Sequence, residues 1–337
     1  MPEISVIITT YKGSDHLGRA IDSVLNQTFS NFEIIIVDDN DPSSEERKKT
    51  EMVVNDYLNN MKNYRIFYIK HKQNKNGAAA RNTGIHKAQG KYIAFLDDDD
   101  FYMPERLEMC YAKLEAMNVN SVYTSVVYAN DSKITGVKCA TQKGKLFNEL
   151  LLDENLLGTG SNLFIKRESI LKLGGFDERY RRNQDYEFML RYFREEDIEV
   201  INEFLVVKST NGTINIPPFD KMLETKKMIL DVFSEQIDKL NENQKYIFQR
   251  NIVKSLLLSA FIYCNNNDIK KAQEIGKEWG IKLDLKDKIK KFLVQIHLYK
   301  TLNKKCKSMI KNRREVTIGN LEKEKYIERI LKDNDII

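Results

Sequence analysis

The sequence predicts an α/β fold in which a mainly parallel sheet is covered by helices on both faces. Short, almost continuously apolar runs at 4–9, 32–37, 64–69 and 91–96 alternate with segments of helical character. Strands that are apolar along their whole length are typical of parallel sheets buried on both faces. Polar residues follow three of these runs directly, and ligands of such sheets bind outside the carboxyl ends of the strands. The pattern therefore predicts both the fold class and the edge at which function lies.

The elements follow one another in a regular order. Gly13 allows a tight loop after the first strand, and helices are predicted at 14–25, 44–61 and 77–89. Further along, the patterns predict helices over 105–117 and from about 183 to 193, a strand at 122–128 with a return through 133–139, and a late strand at 198–209.

Pro217-Pro218 marks a boundary, beyond which the composition is rich in Lys, Glu, Leu, Ile and Asn at helical spacing. We therefore predict two domains, an α/β domain over 1–216 and an all-helical C-terminal region over 217–337.

The bulk composition excludes several classes of protein. The chain has 337 residues, 42% of them hydrophobic, and a net charge of +5, which by itself indicates no nucleic-acid partner. The four cysteines are scattered without a CxxC pair, which argues against a zinc site or a disulfide framework and suits a reducing compartment. The sequence has neither a signal-peptide pattern nor an apolar run of roughly 18 residues. We expect a cytoplasmic protein, either soluble or peripheral on the inner face of the membrane.

The acidic run Asp97-Asp98-Asp99-Asp100 follows the apolar strand at 91–96. Adjacent carboxylates repel one another, so a folded strand end tolerates them when a cation or hydrogen-bond donors compensate the charge. Mg²⁺ sites combine one or two carboxylates with substrate phosphates. The alternative is a solvated loop in which Asp99 or Asp100 caps the next helix. The strand that aims the run at the polar edge favours the cation.

Other candidate side chains come from the same edge or from helix starts. Asp39 could accept a hydrogen bond from a base or a ribose, or simply form a turn before Pro42. Thr9 and Tyr11 offer a polar group and a stacking platform, although Tyr11 could instead pack on its own loop. Arg81 could bind phosphate or pair with the acidic run. Asp185 could act as a general base, or be there because an acid stabilises a helix start.

In order and spacing these motifs resemble those of family 2 glycosyltransferases of the GT-A fold, over roughly residues 3–210. The resemblance is carried by Ser5-Val6-Ile7-Ile8-Thr9-Thr10-Tyr11, Ile36-Val37-Asp38-Asp39-Asn40, the segment 77–82, Phe95-Leu96 with the four aspartates, Met103-Pro104-Glu105-Arg106-Leu107, Gly174-Gly175-Phe176-Asp177 and Gln184-Asp185-Tyr186-Glu187.

The resemblance implies an inverting enzyme of the hexosyltransferase class with a Mn²⁺ or Mg²⁺ cofactor. Its donor would be a nucleotide-diphosphate sugar, most often a UDP-sugar. Its acceptor would be a hydroxyl of a glycan or a lipid-linked molecule in bacterial-type surface polysaccharide synthesis. The chain has neither the Gln-rich Trp motif nor the membrane spans of processive synthases, which favours transfer of a single sugar.

The same resemblance implies a role for each matching residue. Thr9, Tyr11 and Asp39 would hold the uracil, and Arg81 would lie near the nucleotide. Asp97-Asp98-Asp99 would be the DXD-type motif, with Asp98 facing the ribose, Asp99 binding the metal and Asp185 acting as general base. Acceptor contacts are assigned to Gly160, Ser161 and Asn162. One departure is Asp39-Asn40-Asp41-Pro42, where many members have Asp-Gly-Ser, so this loop is expected to close differently on the base.

The C-terminal region contains a basic amphipathic segment over 285–310. Such a helix can lie on an anionic membrane surface, pack on its own domain with its lysines in solvent, or bury its apolar stripe against another subunit of a homo-oligomer.

Two other functions compete with a transferase. A prenyl-diphosphate enzyme would place its aspartates on helices, whereas this run follows a strand. A non-catalytic nucleotide-sugar-binding or scaffold protein on the same fold is the other, and the presence of all three acids Asp98, Asp99 and Asp185 argues against it. The sequence therefore favours an enzyme.

Overall fold

The computed structural model describes residues 1–130, 133–210 and 216–282. These residues form two compact units, the first comprising 1–150 and 154–210 and the second 151–153 and 216–282. The predicted basic segment at 285–310 lies outside the described residues, so its role stays a prediction. The proposed boundary at residues 216 and 217 also stays a prediction.

The described strands and helices alternate along the first unit and give way to helices in the second. The strands are β1 (Ile4–Thr10), β2 (Phe32–Asp38), β3 (Arg65–Lys70), β4 (Tyr92–Asp97), β5 (Phe101–Tyr102), β6 (Ser121–Asn130), β7 (Lys133–Lys138), β8 (Phe164–Lys166) and β9 (Glu199–Ser209). The helices are α1 (Ser14–Leu25), α2 (Glu45–Asn60), α3 (Gly77–Lys87), α4 (Arg106–Met117), α5 (Phe147–Leu152), α6 (Arg167–Leu173), α7 (Gln184–Glu195), α8 (Phe219–Val232), α9 (Ser234–Asp238), α10 (Glu242–Ile262) and α11 (Asn266–Glu278).

The first four strands form a parallel sheet in the order β3-β2-β1-β4. Every residue of β2 is buried, and only Thr9 within β1 is partly exposed. This matches the prediction made from the apolar runs, because parallel strands covered on both faces have no polar side to alternate with.

Beyond β4 the sheet is mixed and continues in the order β8-β6-β9-β5. Strand β7 lies outside this order and pairs only with β6 among the described strands. The short β8 is antiparallel to both β4 and β6, and β6 is parallel to β9. Strands β6 and β9 therefore run in the same direction as β1 to β4. Their carboxyl ends reach the same edge, so the predicted functional edge extends across most of the sheet.

Helices cover both faces of the sheet, as predicted. On one face of β1, Ile4, Val6 and Ile8 share an apolar core with the buried stripe of α1. On the other face α3 approaches so closely that a Cβ on Gly84 would lie 2.4 Å from the Cγ2 atom of Ile7. Side chains alternate across a strand, which lets one strand build two cores.

In the described part of the second unit, every regular element is a helix. A capping box fixes the start of α10, where the Asn241 side chain accepts from the Gln244 amide and the Gln244 side chain accepts from the Asn241 amide. Buried residues of α10, among them Phe248, Ile252 and Leu256, provide its apolar face. Among the described helices, none is long and apolar enough to cross a membrane.

Candidate active site

The carboxyl ends of β1, β2 and β4 bring the predicted polar clusters together. Register pairs Thr9 with Asp97 across β1 and β4, and Thr10 with Asp38 across β1 and β2. Thr9 is partly exposed at this edge, and Tyr11 just beyond it is 45% exposed. The side chain of Tyr11 is thus exposed at this edge, and its role as a stacking platform stays a prediction.

Asp98 lies against the loop that follows β1. Its Oδ2 accepts a hydrogen bond from the backbone amide of Tyr11 at 3.2 Å. A Cβ on Gly13 would lie only 2.0 Å from the same oxygen, so this approach requires glycine. Burial, with help from the charges of Asp99 and Asp97, raises the pKa of Asp98 to about 7. The carboxyl group is therefore one whose ionised form a bound cation would stabilise.

Asp97 is held by the helix that the small-residue motif predicts. The Nη2 of Arg81 donates to Asp97 Oδ1 at 2.6 Å, and the guanidinium lies 5.5 Å from the centre of the Phe176 ring. Arg81 is buried, and its Nη1 has no hydrogen-bond partner among the described residues. One half of the guanidinium thus orients the acidic run, while the other half keeps donors for a ligand.

Asp99 is the acid of the run with the fewest internal bonds. Within the described residues no other side chain donates a hydrogen bond to its carboxylate, and the Nη2 of Arg19 reaches its main-chain oxygen at 3.1 Å. Burial, followed by the charge of Asp97, raises the pKa of Asp99.

Asp100 has a different, internal role. Its carboxylate is fully buried and accepts from the hydroxyls of Thr159 and Ser161 at 2.8 and 2.7 Å and from the Ser209 amide at 3.1 Å. Burial raises the pKa of Asp100 to about 6. The side chain joins the end of β4 to a 3-10 turn (Gly160–Asn162) and to the end of β9, so it fixes the loop that presents Asp98 and Asp99.

Asp39 is at the predicted edge but is committed to internal partners. The carboxylate is buried, lies 2.7 Å from the Nδ1 of His71, and accepts from the Asn74 side chain and the Lys75 amide at 2.9 Å each. His71 in turn lies 2.9 Å from the Thr83 hydroxyl. These three contacts leave one acceptor site on a carboxylate that is itself buried, so the predicted role of Asp39 stays a prediction.

Asp185 lies in the first turn of α7, apart from the acidic run in the chain. It is partly exposed, and its Oδ1 accepts from the Tyr186 amide at 2.9 Å. A Cβ on Gly160 would meet its Oδ2 at 3.3 Å and the Nη2 of Arg81 at 3.7 Å. Asp185 and Arg81 therefore both lie beside the 3-10 turn, and Arg81 in turn pairs with Asp97 of the acidic run.

The predicted acceptor residues Ser161 and Asn162 are buried and have internal partners. Asn162 donates to the carbonyls of Thr124 and Leu157, and Ser161 donates to Asp100. Their side chains shape the turn instead of facing an acceptor. Gly160 is the member of this group that lies beside a candidate catalytic side chain, since a Cβ placed on it would lie 3.3 Å from Asp185 Oδ2.

Lys208, at the end of β9, lies among the candidate site residues, and sequence reasoning did not single it out. Burial lowers the pKa of its ammonium, but the charges of Asp100, Asp97, Asp99 and Asp185 outweigh burial and raise it. One side chain thus feels both the acidic run and the separate acid. The signal was present in the apolar run Leu205-Val206-Val207 ending in a lysine, but only the sheet order shows which edge it reaches.

Comparison with known proteins identifies the family. The model of glycosyl transferase family 2 matches residues 5–174, just over half of the chain. The chain belongs to glycosyltransferase family 2. It is therefore a glycosyltransferase, as the motifs predict, and the resemblance drawn from the sequence is confirmed.

Relatives in the family come from distant organisms. An uncharacterized glycosyltransferase of Methanocaldococcus jannaschii, MJ1057, is 34% identical over 210 residues, which is 61% of this chain and 70% of the relative. The Escherichia coli protein WfgD, a UDP-Glc:alpha-D-GlcNAc-diphosphoundecaprenol beta-1,3-glucosyltransferase, is 28% identical over 199 residues, 59% of this chain and 73% of the relative.

Solved structures confirm the GT-A fold. S. aureus TarS 1-349 in complex with UDP-GlcNAc superposes with a TM-score of 0.56 at 14% identity, covering 84% of this chain and 93% of TarS 1-349. The Pyrobaculum calidifontis mannosyltransferase PcManGT, solved with GDP-Man and Mn²⁺, gives a TM-score of 0.51 at 15% identity and covers 86% of this chain and 78% of the other.

The carboxylates at the edge fit a divalent cation that a substrate helps to bind. Within the described residues, no three His, Cys, Asp or Glu side chains are grouped to hold a metal ion by themselves. A magnesium-type site needs only one or two carboxylates when phosphates supply the remaining oxygens. Asp98 and Asp99 meet that requirement because both are partly exposed and both have a raised pKa.

Proposed function

We propose that this enzyme transfers one sugar from a UDP-sugar to a hydroxyl of a glycan or lipid-linked acceptor, with inversion at the anomeric carbon. The observation that carries the proposal is that Arg81 connects the acidic run to the separate Asp185. Its Nη2 pairs with Asp97, and the same atom and Asp185 Oδ2 both lie within 3.7 Å of a Cβ placed on Gly160. Inverting transfer needs one acidic group for the cation and another for the attacking hydroxyl.

The donor nucleotide would lie on the loop after β1. Tyr11 offers an exposed ring for the base, Thr9 offers a partly exposed hydroxyl, and Arg81 offers the unpaired donors of Nη1. Asp97 is held in place by Arg81 and would orient the DXD-type motif beside the nucleotide. Asp39 would contact the base through the acceptor site that its three internal partners leave unused.

A divalent cation, Mn²⁺ or Mg²⁺, would be held by Asp99 with Asp98 beside it. When bound, such a cation stabilises the negative charge that develops on a departing diphosphate. The protein holds these carboxylates in place by hydrogen bonds. The Tyr11 amide donates to Asp98, and the bonds from Thr159 and Ser161 to the buried Asp100 fix the loop as a whole.

Asp185 would act as the base. The acceptor oxygen forms a bond to the anomeric carbon while the bond from that carbon to the diphosphate oxygen breaks, and the hydroxyl proton passes to the Asp185 carboxylate. The products are a glycoside of inverted configuration and UDP. The Tyr186 amide bond to Oδ1 leaves Oδ2, on the side of Gly160, to receive the proton.

The relatives support the choice of donor and acceptor class. WfgD is named for transfer from UDP-Glc to a diphosphoundecaprenol-linked sugar, and AmsB of Erwinia amylovora is named for amylovoran biosynthesis. TarS was solved with UDP-GlcNAc, whereas PcManGT was solved with GDP-Man and Mn²⁺. We therefore propose a UDP-sugar donor and a role in surface polysaccharide synthesis. The experiment below compares UDP-sugars with GDP-sugars.

A panel of UDP- and GDP-sugars incubated with Mn²⁺ tests the donor, because donor hydrolysis reports turnover without a known acceptor. We expect release of UDP from at least one UDP-sugar and none when EDTA removes the cation. Asp185→Asn should keep donor affinity within about twofold and lower kcat at least about 100-fold, since a general base contributes about 10²- to 10⁴-fold. Asp197→Asn, an exposed acid, is the control. Full activity of Asp185→Asn would remove this residue as the base.

A further inference from the structure

Lys208 is a cation placed at the candidate active site with few protein partners. Its Nζ lies 3.3 Å from the Thr159 hydroxyl oxygen and 3.9 Å from Asp100 Oδ2, and its side chain is 34% exposed. It follows the buried Val206 and Val207 at the carboxyl end of β9, a strand parallel to β6. The backbone therefore fixes the base of the side chain, and about a third of the side chain is exposed at the functional edge.

Asp100 does not need Lys208 as a hydrogen-bond partner. Two hydroxyls and one backbone amide already donate to its carboxylate, and 3.9 Å is beyond hydrogen-bond range for the ammonium. An ammonium has three donors, and among the described residues Thr159 is the one acceptor within reach. The remaining donors of Lys208 are therefore available to a ligand.

The neighbouring arginines are more fully committed. Arg81 makes a 2.6 Å ion pair with Asp97, and Arg19 donates to the main-chain oxygen of Asp99 and lies 4.9 Å from the Phe101 ring centre. Within the part of the chain that the structure describes, the ion pair of Lys208 with Asp100 is longer, at 3.9 Å. An anionic ligand that bound Lys208 would therefore disrupt fewer internal contacts than one that bound Arg81 or Arg19.

We propose that Lys208 binds the diphosphate of the nucleotide sugar and stabilises the charge that develops on it as the sugar leaves. This rests on the proposed function, because it assigns a residue to the same site. One divalent cation cannot neutralise both the acidic run and a departing diphosphate, and a lysine at this place supplies further positive charge. In the free protein the same ammonium balances the repulsion among Asp97, Asp99 and Asp100.

The test compares ligands with and without phosphates by calorimetry in the presence of Mn²⁺. Lys208→Met should weaken UDP binding about tenfold, the loss expected for one charge-assisted hydrogen bond, and leave uridine binding unchanged. Lys208→Arg keeps the charge and should stay within about threefold of the parent for UDP. Lys166→Met is the matched control, because Lys166 is 35% exposed, pairs with Glu168 and lies at the end of the antiparallel β8. It should bind both ligands like the parent.

The outcomes separate the inference from the proposed function. If Lys208→Met binds UDP as tightly as the parent, or loses uridine and UDP equally, Lys208 is not a diphosphate ligand. Lys208→Gln, which keeps a donor for Thr159 without the charge, gives the same test if the methionine variant does not fold. If the parent binds GDP but not UDP, the proposed donor fails while GDP and guanosine still test Lys208. A parent that binds no nucleotide would overturn both.

Discussion

At the scale of single residues, the approach of Asp98 to the first loop depends on the absence of a side chain at position 13. The carboxylate occupies the space in which a Cβ would stand, and it accepts from the Tyr11 amide there. Gly18, five residues later in α1, has no such neighbour, since a Cβ there would meet only the Tyr57 hydroxyl at 3.5 Å. Of these two glycines, Gly13 is therefore needed for the close approach of Asp98, whereas Gly18 has room for a methyl group.

Gly13→Ala should displace Asp98 and weaken binding of Mn²⁺ and UDP about tenfold, the expected effect of losing one charge-assisted contact. The free energy of unfolding should fall by no more than about 2 kcal/mol, because a flexible carboxylate can move aside. Calorimetry and urea denaturation measure the two quantities. Gly18→Ala should leave binding unchanged and stabilise the helix by about 0.5 to 1 kcal/mol. Parent-like nucleotide binding by Gly13→Ala would contradict the prediction.

The raised pKa of Asp98 predicts how the metal-free protein responds to pH. Burial favours the neutral carboxyl in the folded state, so its contribution to stability is present below about pH 4 and is lost as the pH rises through about 7. In EDTA, Asp98→Asn should therefore be more stable than the parent at pH 8 by about 2 kcal/mol, allowing for screening, and nearly equal to it at pH 4. Urea denaturation at both pH values measures this. Asp197→Asn, at an exposed position, should show no such difference, and equal curves for Asp98→Asn and the parent at pH 8 would refute the effect.

At the scale of elements, one buried arginine ties α4 to the turn that shapes the site. Arg106 donates to the Ser161 carbonyl at 3.1 Å and the Thr124 hydroxyl at 3.0 Å, and its guanidinium lies 4.5 Å from the centre of the Tyr102 ring. Ser161 continues the connection to Asp100. The acidic loop, α4 and the 3-10 turn are thus held as one polar core.

Arg106→Lys should destabilise the protein by about 2 to 4 kcal/mol, because lysine cannot make the forked contacts and leaves buried acceptors unsatisfied. Transfer activity should fall as well, since the turn no longer holds Gly160 beside Asp185. Arg194→Lys, at an exposed position of α7, should change the free energy of unfolding by less than about 0.5 kcal/mol. Urea denaturation of both variants measures this. If Arg106→Lys lowers the free energy of unfolding by less than about 1 kcal/mol, the paired contacts of the guanidinium are not needed for stability.

At the scale of the whole molecule, the charge is distributed unevenly. The described active-site edge gathers aspartates, whereas the sequence concentrates lysines in residues 285–314, outside the described residues. Basic segments of this kind are attracted to anionic lipid by about 1 kcal/mol for each lysine near the surface. A lipid-linked acceptor would place the enzyme at such a surface.

Replacing Lys286, Lys288, Lys290 and Lys291 by glutamine should therefore lower binding to vesicles that contain anionic lipid by about tenfold or more. Co-sedimentation at low and at physiological salt measures the effect, which should shrink as salt screens the charges. Replacing Lys48 and Lys49, exposed lysines of α2, is the control and should leave vesicle binding unchanged. Unchanged sedimentation of the fourfold variant would leave helix packing or oligomer formation as the role of this segment.

Much of the fold was predictable because local pattern and buried position agree in the first half of the chain. The apolar runs coincide with β1 to β4 within a residue or two, and the helices between them begin near the predicted caps. The later strands were harder to place. The three-residue β8 is too short to show a period, and its insertion between β4 and β6 follows from long-range pairing that no local pattern encodes.

By itself, the sequence determined the α/β class and the family, and it predicted the edge of function and the aspartates that act there. It could do so because strand order along the chain and parallel direction fix where strand ends meet. Tertiary structure alone decided which acids are available. It buried Asp100 and Asp39 among donors, left Asp98, Asp99 and Asp185 partly exposed, and turned Ser161 and Asn162 inward. It also brought Lys208 to the site from more than 100 positions away along the chain, since the parallel pairing of β6 and β9 sets the edge that β9 reaches.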